Sequence, residues 1–131
     1  MCRFSEDIIN KIWSRGQVVE GFDSDKVRKD ACGAWIIKDH YGNRNSPFGW
    51  EVDHIYPESK LREKSVPMSI IDNITNLRPL NWKNNDSKGS DYPSYQASIT
   101  SDGKRNEEGT FQYTVNEHTR KQIEQLIREY L

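Results

Sequence analysis

The spacing of apolar residues predicts a helix near each end of the chain. Apolar residues recur at helical spacing over residues 5–13, with Ser5 as an N-cap and Gly16 just beyond. A second helix is predicted over residues 117–130, with Asn116 as its cap. The two apolar stripes are Ile8, Ile9, Ile12 and Trp13, and Ile123, Leu126, Ile127 and Tyr130.

Shorter patterns in the middle of the chain predict two strands and a helix. Bulky and β-branched residues bounded by Gly49 and Pro57 indicate a strand over residues 49–55. A second strand is predicted over residues 77–80, and it runs directly into a short helix over residues 82–89. We refer to these three elements as the ββα unit.

Alternation with a period of two returns towards the end of the sequence. Apolar and polar residues alternate over residues 95–100 and 110–115, around a turn signal at residues 102–103, which predicts a hairpin with a long tip. The other stretches are predicted as loops, with a short strand or turn around Val18 and helical character over residues 69–71.

These elements predict an α+β fold in a single domain over residues 1–131, with a core over 49–93 and a hairpin-helix extension over 94–131. With 34% apolar and 30% charged residues, the chain can bury a modest core. No apolar run approaches the roughly 20 residues of a membrane span. The first residues carry no secretory segment, so we expect a cytoplasmic protein without a membrane partner.

The number and spacing of the cysteines limit the kinds of metal site that the chain can form. Cys2 and Cys32 have no closely spaced partners, which excludes a zinc site made of four cysteines. A disulfide between them is disfavoured in a chain without an export signal. Cys32 is therefore predicted to be a small buried residue.

The charge balance is close to neutral, with 19 basic and 20 acidic residues. Because affinity for DNA usually comes from neutralised phosphates, this balance argues against tight non-specific binding by the isolated chain. Arg78, Lys83 and Lys88 nevertheless cluster in the ββα unit and are candidate DNA contacts. We expect a dipolar surface, or a partner protein or homodimer that supplies most of the affinity.

The ββα unit also carries the candidate chemistry. Asp53 and His54 are adjacent near the end of the first strand, while Asn85 and Lys88 share one face of the helix. A carboxylate oxygen and an amide oxygen suit a hard divalent cation. An imidazole titrates near neutral pH, which suits a general base. These residue types predict a small metal site with a base beside it; if the reaction is hydrolysis of a phosphodiester bond, Lys88 is expected beside the scissile phosphate.

Adjacent strand residues point to opposite faces of a sheet, which sets a condition on this site. For Asp53 and His54 to serve one site, the strand must end, twist or bulge there, and Pro57 favours an early end. Glu51 shares the face of Asp53. It is either a further carboxylate for the metal or, as we favour, a solvated or salt-bridged strand residue.

Three motifs over residues 49–93 resemble, in order and spacing, those of the HNH endonuclease family in its His-Asn-Asn variant. The first is a strand that ends in Asp-His with a proline three residues later. The second is Asn-Leu, and the third is a helical asparagine shortly before Lys-Gly. In this chain the motifs are DHIYP at 53–57, Asn76-Leu77, and Asn85 with Lys88-Gly89.

The resemblance implies a ββα-metal fold and a metal-dependent endonuclease that cuts DNA to leave 5′-phosphate and 3′-hydroxyl ends. It implies that Asp53 and Asn85 bind one divalent ion, that His54 deprotonates the attacking water, and that Asn76 braces the loop that orients the histidine. Mg²⁺ or Mn²⁺ suits the oxygen ligands, and Zn²⁺ or Ni²⁺ is the alternative because an imidazole is close by.

Two other functions stay open at this point. The same fold could serve without catalysis as a DNA-binding or protein-interaction module, which the near-neutral charge and the extension over residues 94–131 favour. The complete set of ligand and base residues argues against such a module. Cleavage of RNA by the same site is the third hypothesis.

Overall fold

The computed structural model describes residues 3–131, and within them it contains five α-helices and three two-stranded antiparallel sheets. The helices are α1 (Glu6–Trp13), α2 (Glu58–Glu63), α3 (Met68–Ile71), α4 (Trp82–Lys88) and α5 (Glu117–Leu126). The strands are β1 (Val27–Lys29), β2 (Trp35–Ile37), β3 (Trp50–His54), β4 (Leu77–Asn81), β5 (Ser94–Asp102) and β6 (Arg105–Thr114). Short 3-10 turns span Lys38–His40, Ile74–Asn76 and Arg128–Tyr130. The predicted α+β class is confirmed.

The predicted ββα unit is present as β3, β4 and α4, with each boundary one residue or less from its predicted position. In the β3–β4 hairpin, Asp53 lies opposite Arg78 and His54 lies opposite Leu77. No loop separates β4 from α4, because the side chain of Asn81 caps the helix by accepting a hydrogen bond from the Lys83 amide at 3.0 Å.

The two faces of the β3–β4 hairpin bury different apolar clusters. Trp50 and Leu77 belong to a cluster that includes Ile12 and Trp13 of α1. Leu80 belongs to the other cluster, together with side chains of β5, β6 and α5. Each fully buried large apolar side chain contributes about 1.5–3 kcal/mol, so the hairpin is held from both sides.

Both terminal helices begin at the predicted caps. Ser5 accepts a hydrogen bond from the Ile8 amide at 3.3 Å, and Asn116 accepts one from the Thr119 amide at 2.8 Å. The last helix is shorter than predicted, because regular α-helical structure stops at Leu126 and a 3-10 turn follows.

The first predicted loop region is more ordered than its sequence indicates. Of the strand or turn expected around Val18, whose side chain is 64% exposed, no regular strand forms, and a turn follows in which the Val19 carbonyl accepts from the Phe22 amide at 3.2 Å. Gln17 instead makes a single bridge to Lys29, and the regular strands of this region are β1 and β2. Three-residue strands broken by Gly and Asp offer too short a pattern for sequence reasoning to find.

Two other segments differ from expectation. The predicted long tip of the last hairpin is a tight turn of Gly103 and Lys104, because β5 and β6 extend as polar strands past a bulge between Ala97 and Ile99. The charged connection after Pro57 forms α2, which buries Leu61 completely.

Cys32 is buried as predicted, with 1% of its surface exposed. Cys2 lies outside the described residues. None of the helices within residues 3–131 is long and apolar enough to cross a membrane.

Candidate active site

The predicted base and both predicted metal ligands line one cleft of about 440 Å³. Asp53 and His54 enter it from the end of β3, and Asn85 enters it from α4. β3 ends at His54, so the condition that adjacent strand residues must meet at one site is satisfied at the edge of the hairpin. The other lining residues are Val52, Pro57, Glu58, Ser59, Arg62, Gly89 and Ser90.

Asp53 is a buried carboxylate held between two cations. Its Oδ2 accepts a hydrogen bond from Arg78 Nε at 2.8 Å, and its Oδ1 lies 3.2 Å from Lys88 Nζ. Burial alone would raise the pKa of Asp53, but the positive charges of Arg78 and Lys88 outweigh burial and lower it. Asp53 is therefore an anion at neutral pH.

Lys88 occupies a different place from the one predicted. Its side chain is fully buried, and its Nζ donates to the carbonyl oxygens of His54 and Ile55 at 3.2 and 3.1 Å as well as pairing with Asp53. Burial lowers the pKa of Lys88 even though Asp53 opposes that shift. The amine cannot reach a substrate phosphate in this position, so the predicted contact with phosphate or DNA is corrected to a contact with the end of β3.

His54 is oriented by a carboxylate that the sequence analysis did not identify. Its Nε2 lies 2.8 Å from Asp72 Oδ1. Because the carboxylate accepts, Nε2 carries the hydrogen and a neutral ring keeps its lone pair on Nδ1. Nδ1 lies 4.0 Å from Oε1 of Glu58, which also lines the cleft. Nδ1 is therefore the ring nitrogen nearer to Glu58, while Nε2 is engaged by Asp72.

Arg3 holds the carboxylates around His54. Its guanidinium binds both oxygens of Asp72 at 2.6 and 3.0 Å and also binds Glu58 at 2.8 Å. Arg62 pairs with Glu58 from the next turn of α2 at 2.7 Å. These pairs are partly exposed, so each contributes little to stability, but together they restrict where the two carboxylates can lie.

Asn76 is buried and ties together the segments around His54. Its Oδ1 accepts from the Tyr56 amide at 2.8 Å, and its Nδ2 donates to the carbonyls of Tyr56 and Ile71 at 3.1 and 3.2 Å. Its own carbonyl accepts from the Ile55 amide at 2.8 Å. The residue thus joins the chain just after His54 to the chain just before Asp72, with no contact to the imidazole itself.

Asn85 presents its amide oxygen without a protein partner among residues 3–131, because its Nδ2 donates to Glu51 at 3.1 Å. Glu51 is salt-bridged, as we favoured, since Arg44 binds both of its oxygens at 2.8 and 2.9 Å. Arg44 also pairs with Asp86 of α4 at 3.0 Å. This arrangement orients the Asn85 amide so that its oxygen is the free end.

The two other predicted DNA contacts differ in exposure. Lys83 lies at the surface and pairs with Glu108 of β6 at 2.6 Å. Arg78 is nearly buried, with 11% of its side chain exposed, and it donates to Asp53 and to the Tyr95 hydroxyl. Lys83 is available to a polyanion once its ion pair opens, whereas Arg78 reaches solvent only at one edge.

The donor set fits a hard divalent ion that keeps most of its waters. Each carboxylate oxygen can accept more than one contact, so Asp53 retains capacity beside Arg78 and Lys88, and Asn85 offers a free oxygen. Within residues 3–131, no group of three His, Cys, Asp or Glu side chains could hold a metal by itself. An ion held by Asp53 and Asn85 would therefore take its other ligands from water or from a bound molecule.

Sequence reasoning missed Asp72, Glu58 and Arg3. Asp72 lies 18 residues from His54, and Arg3 lies 55 and 69 residues from Glu58 and Asp72, in segments predicted as a charged loop or as a chain end. No local spacing links Asp72 or Arg3 to His54, whereas Glu58 lies four residues after it in the charged connection. The only available signal was that a catalytic imidazole commonly has a carboxylate partner.

Comparisons with protein-family models, with curated proteins and with solved structures gave no significant match.

Proposed function

We propose that this chain is a metal-dependent endonuclease that hydrolyses phosphodiester bonds of DNA. The observation that carries the proposal is the cleft in which Asp53, His54 and Asn85 meet, with the imidazole fixed from behind by Asp72. An oriented base beside two hard oxygen donors is the minimum that hydrolysis of a phosphodiester requires.

In the proposed reaction, Nδ1 of His54 removes a proton from the attacking water. Asp72 accepts the hydrogen bond from Nε2–H and stabilises the imidazolium that results. Arg3 donates to both oxygens of Asp72, including the Oδ1 that faces Nε2, and so restrains rotation of the carboxylate. Asn76 keeps the segment after His54 in register with the segment before Asp72.

Asp53 and Asn85 would hold the metal. A divalent ion bound there, Mg²⁺ or Mn²⁺ in preference to Zn²⁺ or Ni²⁺, would supply positive charge for the phosphate and the leaving oxygen. The protein prepares this position by keeping Asp53 ionised through Arg78 and Lys88. Lys83 at the surface is the proposed DNA contact near the cleft.

The direct test is nicking of supercoiled plasmid with Mg²⁺ or Mn²⁺, comparing the native chain with His54→Ala. Loss of a general base should slow cleavage by about 10²–10⁴-fold. His118→Ala is the matched control, because His118 is exposed on α5 and should leave the rate unchanged. Equal cleavage by the native chain and His54→Ala would remove His54 as the base. Single-stranded DNA, duplex DNA and RNA, tested in parallel, identify the substrate.

One observation favours a catalytically silent module for DNA or protein binding as the second candidate. Both oxygens of Asp53 are already engaged by Arg78 and Lys88, which reduces the attraction of the site for a cation. This candidate predicts binding of duplex DNA or of a partner protein in EDTA, with no turnover in any of the four metals. A homodimer or a partner would then supply the affinity that the net charge of −1 does not.

A further inference from the structure

A second cleft, of about 520 Å³, contains two arginines and no acidic side chain among its lining residues. Arg15, from the segment after α1, and Arg78, from β4, form part of its wall. The rest of the lining is divided between the polar residues Gln17, Asn116 and Thr119 and the apolar residues Ala31, Ile55 and Pro79. The cleft is distinct from the one that contains His54, and none of the predicted catalytic residues lines it.

Arg15 lacks a counter-ion within the described part of the chain. It makes no ion pair there, and its hydrogen bond to the Thr75 carbonyl is long, at 3.5 Å. Partial burial and the positive charge of Arg78 both lower the pKa of Arg15. A guanidinium whose charged neighbour is another guanidinium is repelled in the free protein, and an anion between the two would relieve that repulsion.

Arg78 adds to the positive potential of the same cleft. Its Nε binds Asp53 and its Nη2 binds the Tyr95 hydroxyl, whereas its Nη1 has no acceptor among residues 3–131. Asp53 is shared between Arg78 and Lys88, so it only partly neutralises Arg78. Arg15 adds a further positive charge to the lining of this cleft.

The start of α5 contributes the polar residues Asn116 and Thr119 to the lining of the same cleft. Asn116 caps this ten-residue helix, and its side chain satisfies only the Thr119 amide. The other amides of the first turn point out of the helix end, where the helix dipole favours an anion. Glu117, the acidic residue in that turn, pairs with Lys121 on the helix surface.

We propose that this second cleft binds a phosphate group between Arg15 and Arg78. Guanidinium groups present N–H pairs that match phosphate oxygens, and two of them suit a dianion better than a single carboxylate. The phosphate is either free or part of a nucleic-acid backbone. The proposal does not require the first cleft to be catalytic.

The test is an NMR titration of the full chain with inorganic phosphate in EDTA, with chloride at equal ionic strength as the reference. The Nε–Hε signals of Arg15 and Arg78 and the amides of Gln17 and residues 117–119 should shift and saturate. Arg15→Gln should weaken binding by about tenfold or more, because charge-assisted hydrogen bonds are lost. Arg128→Gln is the matched control and should bind as the native chain does, because Arg128 is exposed and lines neither cleft.

Arg15→Lys keeps the charge but loses the forked donor, so an intermediate affinity is expected. This variant also tests the proposal if Arg15→Gln fails to fold. Three outcomes would each overturn the proposed site. The first is signal shifts equal to those with chloride, and the second is shifts centred on His54 and Arg62. The third is unchanged phosphate affinity in both Arg15 variants.

A second titration identifies the source of the phosphate and separates this site from the proposed nuclease. His54→Ala, with and without Arg15→Gln, is titrated in EDTA with a short DNA duplex. Weaker binding of both duplex and phosphate by the double variant indicates a backbone phosphate, and weaker binding of phosphate alone indicates a free one. If cleavage is never observed but Arg15-dependent phosphate binding is, the nuclease proposal fails and the phosphate site stands.

Discussion

Two buried carboxylates, Asp30 and Asp53, are held by opposite means. Within residues 3–131, Asp30 has no ion pair, and it accepts four hydrogen bonds from neutral N–H groups. Asp53 is bound by the charged side chains of Arg78 and Lys88. The exposed fractions are 0% and 2%, so the difference between the two lies in their partners rather than in their depth.

The hydrogen-bond and ion-pair partners of each carboxylate decide the direction in which its pKa is shifted. Burial raises the pKa of Asp30, and the neutral hydrogen bonds, led by that of the Asn81 amide, only partly offset it. Burial would raise the pKa of Asp53 as well, but the charges of Arg78 and Lys88 reverse the direction. Neutral donors stabilise a carboxylate in place, whereas cations also keep it ionised at low pH.

The two residues also serve different parts of the molecule. Asp30 joins the loop before β2 to the junction of β4 and α4, through the Asn81 amide and the Asn84 side chain, and it lines neither of the two clefts described above. Asn84 in turn accepts from the amides of Ser98 and Ile99. Asp30 thus positions the helix that carries Asn85, while Asp53 faces the cleft.

Removing the negative charge of Asp53 is the strongest test of the difference between Asp53 and Asp30. Asp53→Asn leaves Arg78 and Lys88 buried without a counter-charge, so the free energy of unfolding should fall by about 3–5 kcal/mol. Denaturation in guanidinium chloride measures this loss. The double variant Asp53→Asn with Lys88→Met should recover part of it, because one uncompensated cation is removed. A double variant less stable than the sum of its singles would contradict the coupling.

Asp30→Ala should lower the free energy of unfolding by about 3 kcal/mol, because it leaves several buried N–H donors unsatisfied. Asp30→Asn should lower the free energy of unfolding by a smaller amount. The oxygen of the asparagine keeps some of the hydrogen bonds, while its NH₂ group faces the remaining donors. Urea unfolding measures both variants, with Asp25→Asn on the exposed surface as the control. Near-native stability of Asp30→Ala would show that the loop before β2 is held by other contacts.

A third carboxylate, Asp72, extends the comparison, because it lies between a cation and a titratable ring. Asp72→Asn can turn its NH₂ group towards Nε2 of His54 and place the ring hydrogen on Nδ1. Cleavage should then fall by about 10²-fold or more, and Asp72→Ala should do no better. Nitrogen NMR of the ring reports the tautomer independently of activity. Cleavage at the native rate together with an unchanged tautomer would remove Asp72 as the positioning residue.

The smallest expected effect is a trend with pH. The pKa of Asp30 is raised above its unfolded value of about 3.8, so the folded state binds the proton more tightly. The stability of the native chain relative to Asp30→Asn should therefore be highest in acid and fall as pH rises from about 3.8 through the folded pKa. The difference in stability between the two proteins is measured from their urea unfolding midpoints from acid to neutral pH. A stability advantage of the native chain that grows as pH rises would show that the pKa of Asp30 is lowered rather than raised.

The local elements around the site could be predicted from the sequence. Side-chain caps and apolar spacing locate α1 and α5, and the strand-strand-helix order locates the segment that carries Asp53, His54 and Asn85. These features depend on residues a few positions apart, whose interactions the backbone period determines. The predicted ligands and base consequently meet at one cleft, although their roles stay predictions.

Burial and partner choice were decided only by the tertiary structure. Lys88 looked like a surface contact but is enclosed beside Asp53, and Asp72 reaches His54 from a segment that no motif covers. Asp30 meets Asn81 across 51 residues of chain. Sequence patterns specify which face of an element is apolar, but the partner of a buried charge depends on which distant elements pack against it, because only that packing removes water and fixes the distance between the charges.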